Sequence, residues 1–314
     1  NSIAVVDKNM SKAVFLFDYN GKFVNRLSYL GNGPREYLNI NHVFKVTNSI
    51  IAIQDRMKDV VLYFDDKGTF LYQTKGLQYG CDIECIGCNR IAVDVRSVGG
   101  INNPKTEDYA FVVSDSLYQK VYAVGTDTYS EKLNYGATKR LFRYNDIVYG
   151  IPNFENYVYQ FDSEGVCVKY VLDIISDDVS DFRYSTREEL KQLEQRYPFF
   201  KGHFYEFDNY SCFVIKSASF NAYILYNHQT KDVYLLDSEY ANPLITFFWN
   251  PYMVDAGNAF VTSSLPATLL SYKEQFYDGA SVEIRKDLDL LYNDMKVDDN
   301  PVLFFYHLKD TISE

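Results

Sequence analysis

An all-β fold, a six-bladed β-propeller of four-stranded antiparallel blades with short helical insertions, is what three observations predict. Aromatic residues make up 17% of the 314-residue chain, chiefly 29 Tyr and 23 Phe, and such side chains favour strands. Short apolar runs come in pairs joined by turns built on Asp and Gly. These pairs recur at roughly 40 to 50 residues, the period of a unit that buries its faces only by stacking on its neighbours.

Taken in order, Ala13 to Asp18, a turn at Tyr19-Asn20-Gly21-Lys22 and Phe23 to Leu27 form the first hairpin. Val60 to Asp65 with Thr69 to Tyr72, and Tyr157 to Asp162 with Val166 to Tyr170, repeat its grammar around Gly68 and Gly165. Weaker copies are Tyr109 to Asp115 with Leu117 to Val121, Ala222 to Asn227 with Lys231 to Leu235, and the closing Pro301 to His307. Turn-opening residues are then Asp18, Asp65, Asp115, Asp162, Asn227 and His307, one for each of six expected blades. Between hairpins lie further strand pairs, such as Leu38 to Val46 with Ile50 to Asp55 and Gly80 to Ile86 with Arg90 to Asp94. Later pairs are Lys139 to Tyr144 with Ile147 to Tyr149, His203 to Phe207 with Cys212 to Ile215, and Phe248 to Val254 with Ala259 to Val261. The first copy lacks an innermost strand, because the chain opens on what reads as the second strand of a blade.

The last two intervals between copies are longer than the rest, and helices account for both. Ser185-Thr186-Arg187-Glu188 is a capping box ahead of Leu190, Leu193 and Tyr197, with Pro198 as the stop. Leu269, Tyr272 and Phe276 predict a second helix, and Ile284, Leu288, Leu291 and Met295 a third. The expected organisation is one domain over residues 1–314, with insertions near 185–197 and 266–296.

Gly31-Asn32-Gly33-Pro34-Arg35-Glu36-Tyr37 reads as the corner between the outer strand of one blade and the inner strand of the next. Its two glycines are expected to supply positive φ, and Pro34 to end the ladder. Arg35 and Glu36 are expected to pair with each other or with a neighbouring blade, in a structural role.

Net charge is −11 and basic residues are scattered, so no cationic stripe exists to neutralise a phosphate backbone and nucleic acid is not an expected partner. No run of about 18 apolar residues occurs that would span a bilayer. Asn1-Ser2-Ile3-Ala4 already reads as strand and lacks an initiator Met, which suggests a chain trimmed of a leader.

The Phe17-Asp18 to Phe23 hairpin, the Gly31 to Tyr37 corner and the closing Asn300-Pro301-Val302-Leu303 with Tyr306-His307-Leu308-Lys309 resemble the NHL-like six-bladed β-propellers of gut Bacteroidetes. That resemblance spans nearly the whole chain. It implies an exported protein, in the periplasm or at the cell surface, of a family whose members are often lipid-anchored.

Few patterns carry chemistry. Cys81-x-x-x-Cys85-x-x-Cys88 has the spacing of a [4Fe–4S] site, yet the residues after Cys88 read as strand and turn, so buried or idle thiols are expected and no cofactor is. The four histidines form no zinc motif. His42 and His203 fall on expected innermost strands, where a propeller gathers residues distant in sequence, whereas His228 and His307 are expected in hairpin turns. Asp82 and Glu84 share a strand face by their spacing and are candidates for the central channel. Tyr79, Arg140, Tyr205, Trp249 and Tyr252 stand near strand ends where stacking rings and polar tips would select a sugar or peptide. The expected function is thus a non-catalytic binding module for a carbohydrate, peptide or protein. The alternative is a lactonase, hydrolase or lyase using channel carboxylates or histidines with a divalent cation.

Overall fold

The computed structural model describes residues 2–18, 20–76, 82–87, 90–95, 109–115, 120–126, 139–152, 156–173, 187–196, 199–216, 221–236, 259–278 and 280–307. It is all-β, six sheets of antiparallel strands with few helices, the architecture of the β-propeller class. Two compact units divide it, Asn1–His203 and Phe204–Glu314.

In the first unit, β1 (Ser2–Asp7), β2 (Ala13–Asp18) and β3 (Phe23–Leu27) form a three-stranded sheet. The next sheet is β4 (His42–Thr47), β5 (Ile50–Asp55), β6 (Val60–Asp65) and β7 (Phe70–Lys75) in chain order. A third holds β8 (Asp82–Ile86), β9 (Arg90–Asp94), β10 (Tyr109–Asp115) and β11 (Lys120–Thr126), and a fourth β12 (Leu141–Tyr144), β13 (Ile147–Gly150), β14 (Tyr157–Phe161) and β15 (Val166–Val171). The helix α1 (Arg187–Arg196) lies in the predicted insertion; its capping box falls outside the described residues.

The cores lie between sheets, and strand alternation puts them there. Ile51 and Ile53 of β5 join Leu16, Leu62 and Phe64 in one cluster, while Ala52 between them joins Val61, Ile83 and Val93 in the next. In β10, Val112 belongs to that second cluster, whereas Phe111 and Val113 enter a third with Leu141 and Val148. A middle strand is therefore apolar on both faces, since period-two alternation presents successive side chains to opposite neighbours. Each Val, Ile, Leu or Phe so buried contributes about 1.5–3 kcal/mol by leaving water. The last strands β7 and β15 are mostly exposed.

The recurring turn residue has a local cause. Asp18 Oδ1 accepts the amides of Asn20 and Lys22 at 3.0 and 2.8 Å. Asp65 does the same for Lys67 and Thr69, Asp162 for Glu164 and Gly165, and Asn227 for Gln229 and Thr230. A short side-chain acceptor satisfies amides that a tight hairpin turn strands.

At the corner, Glu36 rather than glycine geometry alone makes the turn. Its Oε2 accepts the Gly33 amide at 2.6 Å, and Lys58 Nζ donates to the Gly33 and Glu36 carbonyls, both at 2.6 Å. A Cβ on Gly33 would stand 2.9 Å from Glu36 Oε2, and one on Gly31 would be closer still. Gly33 lacks the expected positive φ; the Glu36 carboxylate packs against the backbone of both glycines. Arg35 lies over the Phe70 ring at 5.4 Å, reaching the next sheet. The strand expected from Leu38 begins only at His42, because the Leu38 amide is held by Asp55 Oδ2 at 2.6 Å and is not free to join a ladder.

The second unit holds the sheet of β16 (Phe199–Glu206), β17 (Tyr210–Lys216), β18 (Asn221–Asn227) and β19 (Val233–Leu236), apart from the first residues of β16. It also holds the pair β20 (Ala259–Ser264) and β21 (Val302–His307). Between these two strands run α2 (Pro266–Ser271), α3 (Lys273–Asp278) and α4 (Val282–Tyr292). The spacing predicts one helix where α2 and α3 stand: Tyr272, at φ −100° and ψ 3°, leaves helical geometry and divides them. Ser281 Oγ caps α4 at the Ile284 amide, and Leu269, Phe276, Leu288 and Tyr292 form its core with Val302 and Phe304 of β21. His307 closes β21 opposite Ala259 rather than sitting in a hairpin turn. The strand expected over Phe248 to Val254 lies outside the described residues.

Candidate functional site

Three strand beginnings deliver one polar cluster in the first unit. β4 packs against β8, and β8 against β12. His42 opens β4, Asp82 opens β8 with Glu84 two residues on, and Lys139 and Arg140 directly precede β12. On β8 the odd positions Ile83 and Cys85 enter the core shared with Phe44 of β4, and Ile86 enters the core shared with Leu141. Alternation therefore gives Asp82 and Glu84 to the β12 side.

Asp82 is the hub. Its Oδ2 accepts the Leu141 amide at 3.1 Å, and its Oδ1 accepts the adjacent Ile83 amide at 3.2 Å and lies 3.0 Å from His42 Nε2. His42 Nε2 is also 3.0 Å from the Ile83 carbonyl. Burial pushes the Asp82 carboxyl up, but His42, Lys139 and the Leu141 amide outweigh it and hold the group at about 2. Glu84, whose side chain is 9% exposed, meets Lys139 Nζ at 3.1 Å. Lys139 in turn lies 5.9 Å over the Phe142 ring.

Arg140 is wholly buried. Its Nε donates to Asp94 Oδ2 at 3.0 Å and its Nη2 to Asp94 Oδ1, and its guanidinium lies 5.4 Å over the Phe111 ring. Among the described residues Nη1 has no acceptor, and neither has the buried Nε of Arg56. Asp94 stands opposite Asp82 in the β8–β9 register. Lys8 donates to the Asn41 carbonyl at 2.8 Å. Desolvation lowers the Lys8 pKa, Asp82 opposes that, and Arg56 and Lys139 add to it, which places all four within electrostatic reach.

Of the residues singled out in the sequence, His42, Asp82, Glu84 and Arg140 thus come together. His203 lies in β16. Tyr205 is buried in β16 with its ring 5.3 Å from Phe260, and burial holds its phenol well above the ordinary tyrosine range. Tyr79, Trp249 and Tyr252 lie outside the described residues, as do Cys81 and Cys88. Cys85 is a buried free thiol in the core. Sequence reasoning missed Lys139 and Lys8; adjacency to Arg140 was the one signal for the former.

In the second unit Ser211 Oγ lies 2.6 Å from Glu206 Oε2 and 2.7 Å from His228 Nε2, and His228 Nδ1 is 3.1 Å from the Asp208 carbonyl. The composition is that of a nucleophile and its base. Ser211 is completely buried, and the trio ties the β17 and β18 ends together.

Fold and site together define an all-β, propeller-class protein with a charged cluster at the beginnings of successive sheets. The chain belongs to the DUF4934 family, a domain of unknown function, whose model matches residues 1–307. Among solved structures it is similar to a Bacteroides fragilis NCTC 9343 protein provisionally named as exported, with a TM-score of 0.74 and 18% identity over 98% of this chain and 88% of that one. A second is a DUF4221 family member from Bacteroides vulgatus ATCC 8482, with a TM-score of 0.48 and 10% identity over 75% of this chain and 78% of that one. At that identity the first likeness speaks for the fold. No curated protein matches. No helix among the described residues is long and apolar enough to cross a membrane.

Proposed function

We propose that the chain is a single six-bladed binding module of an exported protein, without catalytic activity of its own, whose ligand engages the cluster of His42, Asp82, Glu84 and Lys139, with Arg140 buried behind it. The observation that carries this is the convergence of charged side chains from three separate strand beginnings on one place. Propeller-class folds gather binding groups in this way, from residues far apart in sequence. Lys139 pairs with Glu84, Lys8 interacts electrostatically with Asp82, and among the described residues two buried guanidinium nitrogens lack acceptors. That supports an occupant rich in oxygen acceptors, an acidic carbohydrate or an acidic peptide. Export is supported by the name of the Bacteroides fragilis structural relative.

A glycan and peptide binding screen, followed by calorimetry on the hits, tests the reading. Lys8→Ala and Lys139→Ala should each weaken an acidic hit about 5- to 10-fold, in keeping with the loss of one charge-assisted contact, while Lys169→Ala on β15 should not. Hits whose affinity ignores both substitutions would place binding elsewhere.

A further inference from the structure

We infer that His42, Asp82 and Glu84 form a site for one divalent first-row transition cation, in competition with Lys139. This goes beyond the binding role above and does not depend on it, because a cation can occupy the three side chains with no organic ligand present.

The geometry carries the inference. One imidazole nitrogen and two carboxylate oxygens, from two strands, have their ligand-capable atoms all within 4.8 Å of one another. A cation with bonds near 2.1 Å needs ligand atoms about 3 to 3.5 Å apart. His42 Nε2 and Asp82 Oδ1 are already at 3.0 Å, so a cation replaces the proton that Nε2 holds between Asp82 and the Ile83 carbonyl, and Glu84 turns in to complete the set. The convergence occurs at the strand beginnings: Asp82 and Glu84 share the β12 side of β8, and His42, which opens β4 on the other side, reaches Asp82 where β8 starts.

Donor chemistry narrows the ion. An all-oxygen set would suit Ca²⁺ or Mg²⁺, whereas imidazole with carboxylates suits Zn²⁺ and its neighbours. Three protein ligands leave a further position open to water or to an oxygen of a bound ligand.

The two carboxylates are 2% and 9% exposed. Arg140 does not compete for them, because its paired nitrogens are directed to Asp94. Lys139 does compete. It is Glu84's partner among the described residues, and its side chain is 35% exposed, so its ammonium has solvent to move into when a cation takes the carboxylate. The site is accordingly one whose affinity the lysine holds down.

That last point makes the test specific. Protein stripped with chelator and dialysed is titrated with Zn²⁺ by calorimetry, with bound metal counted by mass spectrometry. One Zn²⁺ per chain is expected. His42→Ala and Glu84→Gln should each weaken binding at least 10-fold, and Lys139→Met should tighten it several-fold. Asp82 is left intact because it also holds the Leu141 amide, and melting temperatures of the three variants confirm that they fold. Absence of stoichiometric Zn²⁺ in the wild type, or equal affinity in His42→Ala, would overturn the assignment. So would weaker binding by Lys139→Met, which would make the lysine a support rather than a competitor. The titration contains no sugar or peptide, so its failure leaves the binding screen above to be judged by itself.

Discussion

Arg140 and Asp94 form a fully buried ion pair that joins the end of β9 to the residue before β12. The guanidinium grips both carboxylate oxygens and lies over Phe111, so one side chain couples two sheets and the core between them.

Removing one member should be far worse than removing both. Arg140→Met strands a buried carboxylate and is expected to cost about 3–5 kcal/mol. Arg140→Met with Asp94→Leu should be much less destabilised than the sum of the two single changes. Urea unfolding of the four proteins gives the coupling directly, and simple additivity would show that the pair does not act as a unit.

The corner at Gly31 to Tyr37 is held by charged side chains on backbone groups, which are worth about 1.5–3 kcal/mol each. Glu36→Ala and Lys58→Met should therefore each lower the melting temperature clearly. Gly33→Ala should do so through the clash with the Glu36 carboxylate, and Gly33→Ala with Glu36→Ala should cost less than the two changes summed, because the second relieves the first. Thermal melts of the set decide it.

Acid should expose the turn aspartates. Hydrogen bonds, the Thr69 amide's first, outweigh the opposing effect of burial and hold Asp65 below its ordinary value. A carboxyl whose folded pKa is depressed contributes stability that is present above the unfolded value, near 3.8, and lost as pH falls through the folded one. Stability of the wild type should accordingly fall more steeply below pH 4 than that of Asp65→Asn, whose amide oxygen keeps the turn. Unfolding curves from pH 5 to pH 2.5 for both proteins make the comparison.

Thiol chemistry should separate the cysteines by burial. Cys167 is exposed, while Cys85 and Cys212 are buried, and burial pushes the Cys212 thiol far up. Brief iodoacetamide treatment followed by peptide mass spectrometry should find Cys167 alkylated and the other two modified only after denaturant.

Much of the fold was legible because its determinants are local. An Asp or Asn that satisfies its own turn amides leaves a mark at four of the hairpins, and a middle strand facing two cores must be apolar throughout. The start of β4 was misjudged because Leu38 is apolar yet its amide is held by Asp55, a residue on another strand. The break at Tyr272 escaped for a similar reason, since side-chain spacing continues across it. In the site, Asp82 and Glu84 were readable from their period-two spacing, and His42 from its place on a first strand. Lys8 and Lys139 were not, because a lysine in a loop has no periodic signature, and only the approach of β8 to β12 gives Lys139 its carboxylate.

Asp7, Asp55 and Asp94 end β1, β5 and β9, the corresponding strands of three successive sheets. Asp7 gathers the amides of its own turn, Asp55 holds amides on both sides of its sheet's first hairpin, and Asp94 takes a guanidinium from the next sheet. A position whose geometry repeats while its partner changes is one where a repeating scaffold diversifies without refolding. The charged cluster lies beside the copy whose aspartate takes a guanidinium, which makes that junction the place where related chains of this architecture should differ most in what they bind.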